Sequence, residues 1–385
     1  MSNDSYIKII DLDEYLGQGF NGKFCFFGCQ GIASSWVKYF QGSRVFTQNS
    51  IGLAIRSIKP DITLVLGDNF YDDGLSGDPR KASREFRQAF IEPYRNLTCF
   101  CLLGNHDYYI HNRSRWGKHY LLAQATGFKR YWHSTAVKTV ERGMRQVELS
   151  NHPENHKVHP YPNSPKQWNM PYRYFLLHSR IADFFILDSN SFLFDCDQQD
   201  WLMINLEARS KVSNKKFLVM HHPFISGGKR YGSMEDLKLY AMAFGCSDAR
   251  FKELTKSAHT YGTGEIGALI YHYLQEKLRL LNKPNYFDCL ICAHDHMMTV
   301  DRIRHKTDSH SIIQVISGGG GAALANSSAD LHALYNIRRQ GRVDFHCETI
   351  YADVHYGFND LDINTMTVNV RDYLGNIKNS YKIED

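Results

Sequence analysis

Five short apolar runs in this chain each end at a compact polar cluster, and that pattern restricts the fold more than any other feature. Residues 23–27 stop at Gly28-Cys29-Gln30-Gly31, residues 63–66 at Gly67-Asp68-Asn69-Phe70-Tyr71, and residues 98–103 at Gly104-Asn105-His106-Asp107. Residues 217–220 stop at His221-His222-Pro223, and residues 287–292 run to His294-Asp295-His296. Apolar runs of about 4–8 residues bounded by turn residues read as buried strands. Between them lie segments with helical spacing: Ile51, Ala54, Ile55 and Ile58; Phe86 and Phe90 within 83–91; Trp201, Ile204 and Leu206; and a long helix over about 265–281. Strands alternating with helices predict an α/β sheet, and polar side chains just past strand ends converge on one rim of such a sheet.

Further strands are predicted at 172–177, 183–187 and 311–317, with a closing hairpin at 356–363 and 367–372 and Gly375 in a later turn. The pattern fails from about 110 to 166 and from 233 to 260, which read as inserted loops. With 43% hydrophobic and 22% charged residues a sizeable core is expected and wholesale disorder is excluded. The net charge of +5 is too small and dispersed to make nucleic acid or a membrane surface the main partner. No apolar window is long enough for a membrane span. The first residues, Met1-Ser2-Asn3-Asp4-Ser5-Tyr6, do not read as a secretory leader. The nine cysteines are odd in number and scattered through apolar runs, so they read as reduced core thiols of a cytoplasmic protein.

The strand-end clusters carry donors suited to hard or borderline cations: Asp68 with Tyr71, Asn105 with His106, His221, and His294 with His296. A carboxylate can bridge two metals, which makes Asp68 the natural link between adjacent divalent or trivalent ions. Paired ions clamp the attacking and leaving oxygens of a phosphoryl displacement and acidify water. His106, next to a ligand in the chain, is placed to give a proton to the leaving oxygen. A single Gly-Asp is ordinarily a turn and a single His pair ordinarily a surface feature. It is the ordered recurrence of such clusters after apolar strands that departs from chance.

The set resembles the calcineurin-like metallophosphoesterase superfamily, and within it the purple acid phosphatases of the small, tartrate-resistant type. Gly67-Asp68-Asn69-Phe70-Tyr71 matches the GDxxY motif, Gly104-Asn105-His106-Asp107 matches GNH(D/E), and Met220-His221-His222-Pro223 matches the single-histidine strand end. Ala293-His294-Asp295-His296 matches GHxH with alanine for glycine. The likeness extends through residues 166–171, 185–188, 317–319 and the C-terminal hairpin. It implies one domain over 1–385, a four-layer α/β/β/α sandwich with the two insertions. It implies one metal on Asp68, Asn105, His221 and His294, and a second on Asp68, Tyr71, His296 and a first-motif aspartate. Cys29 stands where the family has that aspartate. Either the position has lost a ligand, leaving one ion, or a thiolate replaces the carboxylate and shifts metal preference. The implied ions are iron with iron, zinc or manganese.

Two further departures lie near the expected leaving group. Tyr108 replaces a histidine after GNHD, and the loop at 226–231 lacks the family's histidine but carries Lys229 and Arg230. Tyr108, Asn105 and Arg230 are the candidate substrate contacts, with Lys229 and Arg230 equally readable as a solvated loop. His222 is expected to point away from the site. His152, His156 and His159 read as a polar insertion rather than a zinc site, and Gly318 to Gly321 as a turn passing under the metals. The implied activity is hydrolysis of phosphomonoesters on small molecules or phosphoproteins by water or hydroxide held on the metals. The alternative is a catalytically reduced binding or scaffold protein with a protein partner. A phosphodiesterase or nucleotidase is a weaker third reading.

Overall fold

Phe24 and Phe26 face one side of their strand and Cys25 and Phe27 the other, and all four are buried. A strand buried on both faces needs a layer on each side. The computed structural model supplies both. It describes residues 9–30, 42–71, 74, 79–108, 146, 167–228, 237, 241, 244, 246–247, 249–254, 266–280, 286–305, 311–322, 324 and 345–383.

One sheet contains β2 (Lys23–Phe27), β3 (Ile62–Val65), β4 (Cys99–Cys101), β12 (Gly357–Asp362), β13 (Thr367–Asp372) and β14 (Ile377–Lys382). Its order is β14-β13-β12-β2-β3-β4, with β2, β3 and β4 parallel. The other contains β1 (Ile9–Asp11), β5 (Phe175–His178), β6 (Ala182–Ile186), β7 (Lys215–Val219), β8 (Cys289–Cys292), β9 (Met298–His305), β10 (Ser311–Ser317) and β11 (Phe345–Asp353). Its order is β1-β5-β6-β7-β8-β10-β9-β11, with β6, β7, β8 and β10 parallel.

The inner faces of the two sheets share one core. Phe24 meets Phe184 at 5.1 Å edge to face, and Phe184 stacks on Phe217 at 5.0 Å. Each such ring removed from water contributes about 1.5–3 kcal/mol. The outer faces carry helices. The outward residues Cys25, Phe27 and Val65 pack with α2 (Gly42–Ile58), and with α3 (Pro79–Phe86) and the π turn that extends it over Arg87–Ile91. Those of the other sheet, such as Phe185, Leu218 and Leu290, pack with α4 (Cys196–Arg209) and α5 (Ile266–Leu280). This is the expected α/β/β/α sandwich. A short α1 (Leu12–Leu16) follows β1, capped by the Asp11 carboxylate.

All nine cysteines are free, and Cys25, Cys99, Cys101, Cys289 and Cys292 are core thiols as expected. Among the described residues no helix is long and apolar enough to cross a membrane. The predicted insertions fall mostly outside the described residues, as do His152, His156, His159, Lys229 and Arg230.

Candidate metal centre

β2, β3 and β4 in one sheet, and β7 and β8 in the other, deliver their C-terminal ends to the same rim. There the sheets touch. A Cβ on Gly28, past β2, would lie 2.6 Å from the Ala293 Cβ past β8, so only glycine permits the approach. A Cβ on Gly104 would lie 2.2 Å from Asp68 Oδ1, which makes that glycine the opening through which the carboxylate enters. In the glycine turn Gly318 N donates to the Met297 carbonyl and Gly320 N to the Gly28 carbonyl. It therefore runs beneath both the His296 and the Cys29 turns.

The GDxxY segment is held by its middle residues. Phe70 is buried and packs 5.8 Å from Phe86 and 6.0 Å from Trp168. Asn69 donates its side-chain amide to the Leu102 carbonyl and to Asp107. Asp68 and Tyr71 are thereby turned together. Among the described residues six non-glycine residues have positive φ, and three of them are here: Cys29 at 57°, Asp68 at 56° and His294 at 66°. The left-handed region costs an ordinary side chain about 1–3 kcal/mol and persists where the surroundings over-determine it.

The structure brings Asp68, Asn105, His221 and His294 together. Asn105 Oδ1 lies 3.1 Å from His221 Nε2 and 3.0 Å from His294 Nδ1, and the two ring nitrogens are 3.2 Å apart. Asp68 Oδ1 is 3.4 Å from His221 Nε2. His221 Nδ1 is 2.7 Å from the Leu66 carbonyl, which only accepts. That bond puts a hydrogen on Nδ1 and turns Nε2 toward two oxygen acceptors, where it holds a second proton unless a cation takes that place. Facing acceptors need a proton or a cation between them. Donor separations of about 3.0–3.4 Å are the polyhedron edges that metal bonds of about 2.0–2.2 Å produce. This donor set fits a cation.

Asp68 Oδ2 serves a second group. The Tyr71 hydroxyl donates to it at 2.7 Å and lies 3.0 Å from His296 Nε2. Cys29 Sγ is 3.8 Å from the same oxygen. Ligand atoms of Cys29, Asp68 and His296 all lie within 4.8 Å of one another, and all three residues are buried. Burial alone would raise the Asp68 carboxyl, but His221, His106, the Tyr71 hydroxyl and His294 hold it well below the usual carboxylate range. The Asp68 carboxylate thus faces two donor groups, one through each oxygen.

His106 lies beside this cluster. Its backbone N–H donates to Asp68 Oδ1 at 3.0 Å, its ring sits 4.0 Å from the Tyr71 ring, and Nε2 is 4.0 Å from Asp68 Oδ2. Tyr108 is placed differently from the expectation of a substrate contact. It is fully buried, its hydroxyl donates to Asp188 at 2.7 Å, and Phe244 packs edge-on against its ring. The hydroxyl is committed to a core carboxylate and is not available to a phosphate. Arg230, the other expected contact, lies outside the described residues. His222 does not point away. Its ring lies 4.5 Å from that of His294, and Nδ1 is 2.8 Å from the Ser189 hydroxyl. Burial, then His294 and His221, keep it well below the usual imidazole range, so it packs as a neutral ring.

Asp107 was visible in the sequence but had no role assigned. Its carboxylate accepts backbone N–H groups from Asn69, Phe70 and Gly104, and the Gln146 amide. It ties the GDxxY and GNHD turns to each other. Asp295 does the same for the loop after His221 by accepting from Ser226.

The sequence profile of the calcineurin-like phosphoesterases matches residues 43–298. The chain belongs to that family. The chain is 23% identical over 229 residues to purple acid phosphatase 7 of Arabidopsis thaliana. The alignment covers 54% of this chain and 56% of that protein, so it spans about half the length of the curated relative. The purple acid phosphatase PPD1 from yellow lupin seeds has a similar fold, with a TM-score of 0.52 at 15% identity over 95% of this chain and 54% of that one. GAP50, the anchor in the inner membrane complex of Plasmodium, has a TM-score of 0.51 at 13% identity, covering 94% and 87%. Both likenesses show the shared sandwich. Membership of a metallophosphoesterase family implies bound metal ions, in agreement with the facing donors around Asp68.

Proposed function

We propose that this phosphoesterase hydrolyses phosphomonoesters with two cations, drawn from iron, zinc and manganese, held on either side of Asp68. The observation that carries the reading is the sharing of that carboxylate: Oδ1 faces His221, and Oδ2 faces Tyr71 and Cys29. Asn105, His221 and His294 would hold one ion, and Tyr71, His296 and Cys29 the other. Bound there, the ions supply Lewis acidity toward phosphoryl oxygens and acidify water. The chain's own part is to fix the donors. The Leu66 carbonyl sets the His221 tautomer, and Asp107 locks the two turns that carry Asp68 and Asn105. His106, beside the donors rather than among them, protonates the departing alkoxide, and Asn105 contacts the phosphate as well as a cation. Substrates are phosphorylated small molecules or phosphoproteins. The nine unbridged thiols support a reducing compartment, the cytoplasm.

The test is phosphate release from an aryl phosphate by protein stripped with chelator and reloaded with iron, zinc or manganese. Turnover that returns with metal and fails in Asn105→Ala supports the reading. A protein that binds metal but releases no phosphate under any loading overturns it. Two observations favour a second reading, a binding protein with reduced catalysis: Cys29 in place of the family's aspartate, and Tyr108 committed to the core. The GAP50 likeness is compatible with it.

A further inference from the structure

Cys29 is a departure from its family, yet the fold treats it as a site residue. It shares its left-handed backbone with Asp68 and His294, two of the strand-end residues that present donors. Its N–H donates to the Gly67 carbonyl at 3.0 Å and its carbonyl accepts from Ala322 at 2.9 Å. The turn that aims Cys29 is therefore pinned on both sides.

The sulfur also meets the right neighbours. Cys29 Sγ, an Asp68 carboxylate oxygen and a His296 nitrogen lie within 4.8 Å of one another, with the Tyr71 hydroxyl 2.7 Å from Asp68 Oδ2 and 3.0 Å from His296 Nε2. Cysteine has one bond fewer than aspartate between Cβ and its metal. Carbon–sulfur and metal–sulfur bonds are longer than their oxygen counterparts, the latter about 2.3 Å against about 2.0–2.2 Å, so the reach is largely restored. The 3.8 Å separation of Sγ from Asp68 Oδ2 is within a few tenths of an ångström of the edge such bonds define.

We propose that Cys29, Asp68, Tyr71 and His296 form a four-donor half-site, with sulfur as a direct ligand, that selects zinc over ferric iron. A ligating thiol is deprotonated outright. A tetrahedral set of one thiolate with nitrogen and oxygen donors suits zinc, whereas ferric iron, a hard cation, gains least from exchanging carboxylate for sulfur. The centre is accordingly colourless as isolated, despite a tyrosine in the ligand position.

The inference rests on the metal reading of this site but is tested separately from turnover. The full chain is stripped with chelator and titrated with zinc alone and with cobalt(II) alone. Expected are two zinc ions per chain, and a cobalt form with a near-ultraviolet thiolate-to-metal charge-transfer band. Cys29→Ala should bind one ion and retain under about a tenth of that band. Cys29→Asp should keep two ions, lose the band, and take ferric iron with a visible tyrosinate colour. Should Cys29→Ala misfold, His296→Ala serves instead, and it should also drop to one ion per chain. A wild-type cobalt form without the band, or a band unchanged in Cys29→Asp, overturns the proposal. Phosphate release without the band sinks this inference and leaves the phosphatase reading standing; the band without phosphate release does the reverse.

Discussion

The two sides of Asp68 are built differently. On one side Asn105, His221 and His294 touch each other directly, at 3.0–3.2 Å, and the His221 tautomer is fixed by a backbone carbonyl. On the other, the Tyr71 hydroxyl links Asp68 to His296, and the Cys29 sulfur stands 3.8 Å from Asp68 Oδ2. The nitrogen-rich side is preorganised by its own contacts, so ordering its donors costs little on binding. The sulfur side completes its geometry only when something draws the thiol in. A family motif can thus be conservative on one side of a shared carboxylate and altered on the other, because Oδ1 and Oδ2 face separate donor groups.

The strongest way to break this comparison is to remove what both sides share. Asp68→Ala should lose both ions and lower kcat/KM on an aryl phosphate by on the order of 10²–10³ or more, the scale on which a single charge-stabilising group acts. Retention of two ions by that variant would show that the sides do not depend on the bridge. Next comes the asymmetry itself. His221→Ala should lower zinc affinity more than His296→Ala does, since it dismantles the preorganised set, and equilibrium dialysis of each variant measures the difference. Equal losses would remove the distinction drawn above.

Much of this arrangement was legible beforehand, for a physical reason. Strands buried on both faces have to be continuous apolar runs, so β2, β3, β7 and β8 announced themselves, and their ends located Asp68, His221 and His294. β9, β11 and β14 were not foreseen. β9 reads Met-Thr-Val-Asp-Arg-Ile-Arg-His, and its Asp301 is buried through bonds from Thr299 and Gln314 that only the fold provides. β14 is an edge strand with mostly exposed residues, which leaves no apolar run to find. Side-chain direction within a turn was equally hidden. Tyr108 follows His106 by two residues, but the turn sends one ring to Asp188 and the other to Tyr71. His222 was misjudged for the same reason: past a strand end, alternation no longer governs where a side chain points.

A smaller effect sharpens the role of the clamp between turns. Burial, then the charge of Asp68, push the Asp107 carboxyl up to about 7, against the pull of the Gln146 amide and of the Gly104 and Asn69 N–H groups. Its folded value lies above the unfolded one of about 3.9. The folded state therefore binds more proton between these values, and the stabilisation from that proton is complete below about pH 4 and lost as pH rises to about 7. In metal-stripped protein the stability of wild type relative to Asp107→Asn should fall across this window. Urea midpoints at a series of pH values measure it, and a difference that rises with pH would contradict the assignment.

The smallest expected effect concerns Tyr108. Its hydroxyl is one of three groups on Asp188 Oδ2, with Ser191 at 2.8 Å and Arg173 at 3.4 Å, while Asn190 donates its backbone and side-chain N–H to Oδ1. Tyr108→Phe keeps the ring contact with Phe244 and leaves Asp188 bonded to Ser191, Arg173 and Asn190, so the loss should be about 1.5–3 kcal/mol in urea unfolding, the scale of a hydrogen bond to a charged group. KM for an aryl phosphate should stay within about twofold, because the hydroxyl faces the core and not the donors around Asp68. A KM raised tenfold with unfolding unchanged would return Tyr108 to the substrate side. It would also mean that the loop carrying His106 adopts another arrangement when phosphate is bound.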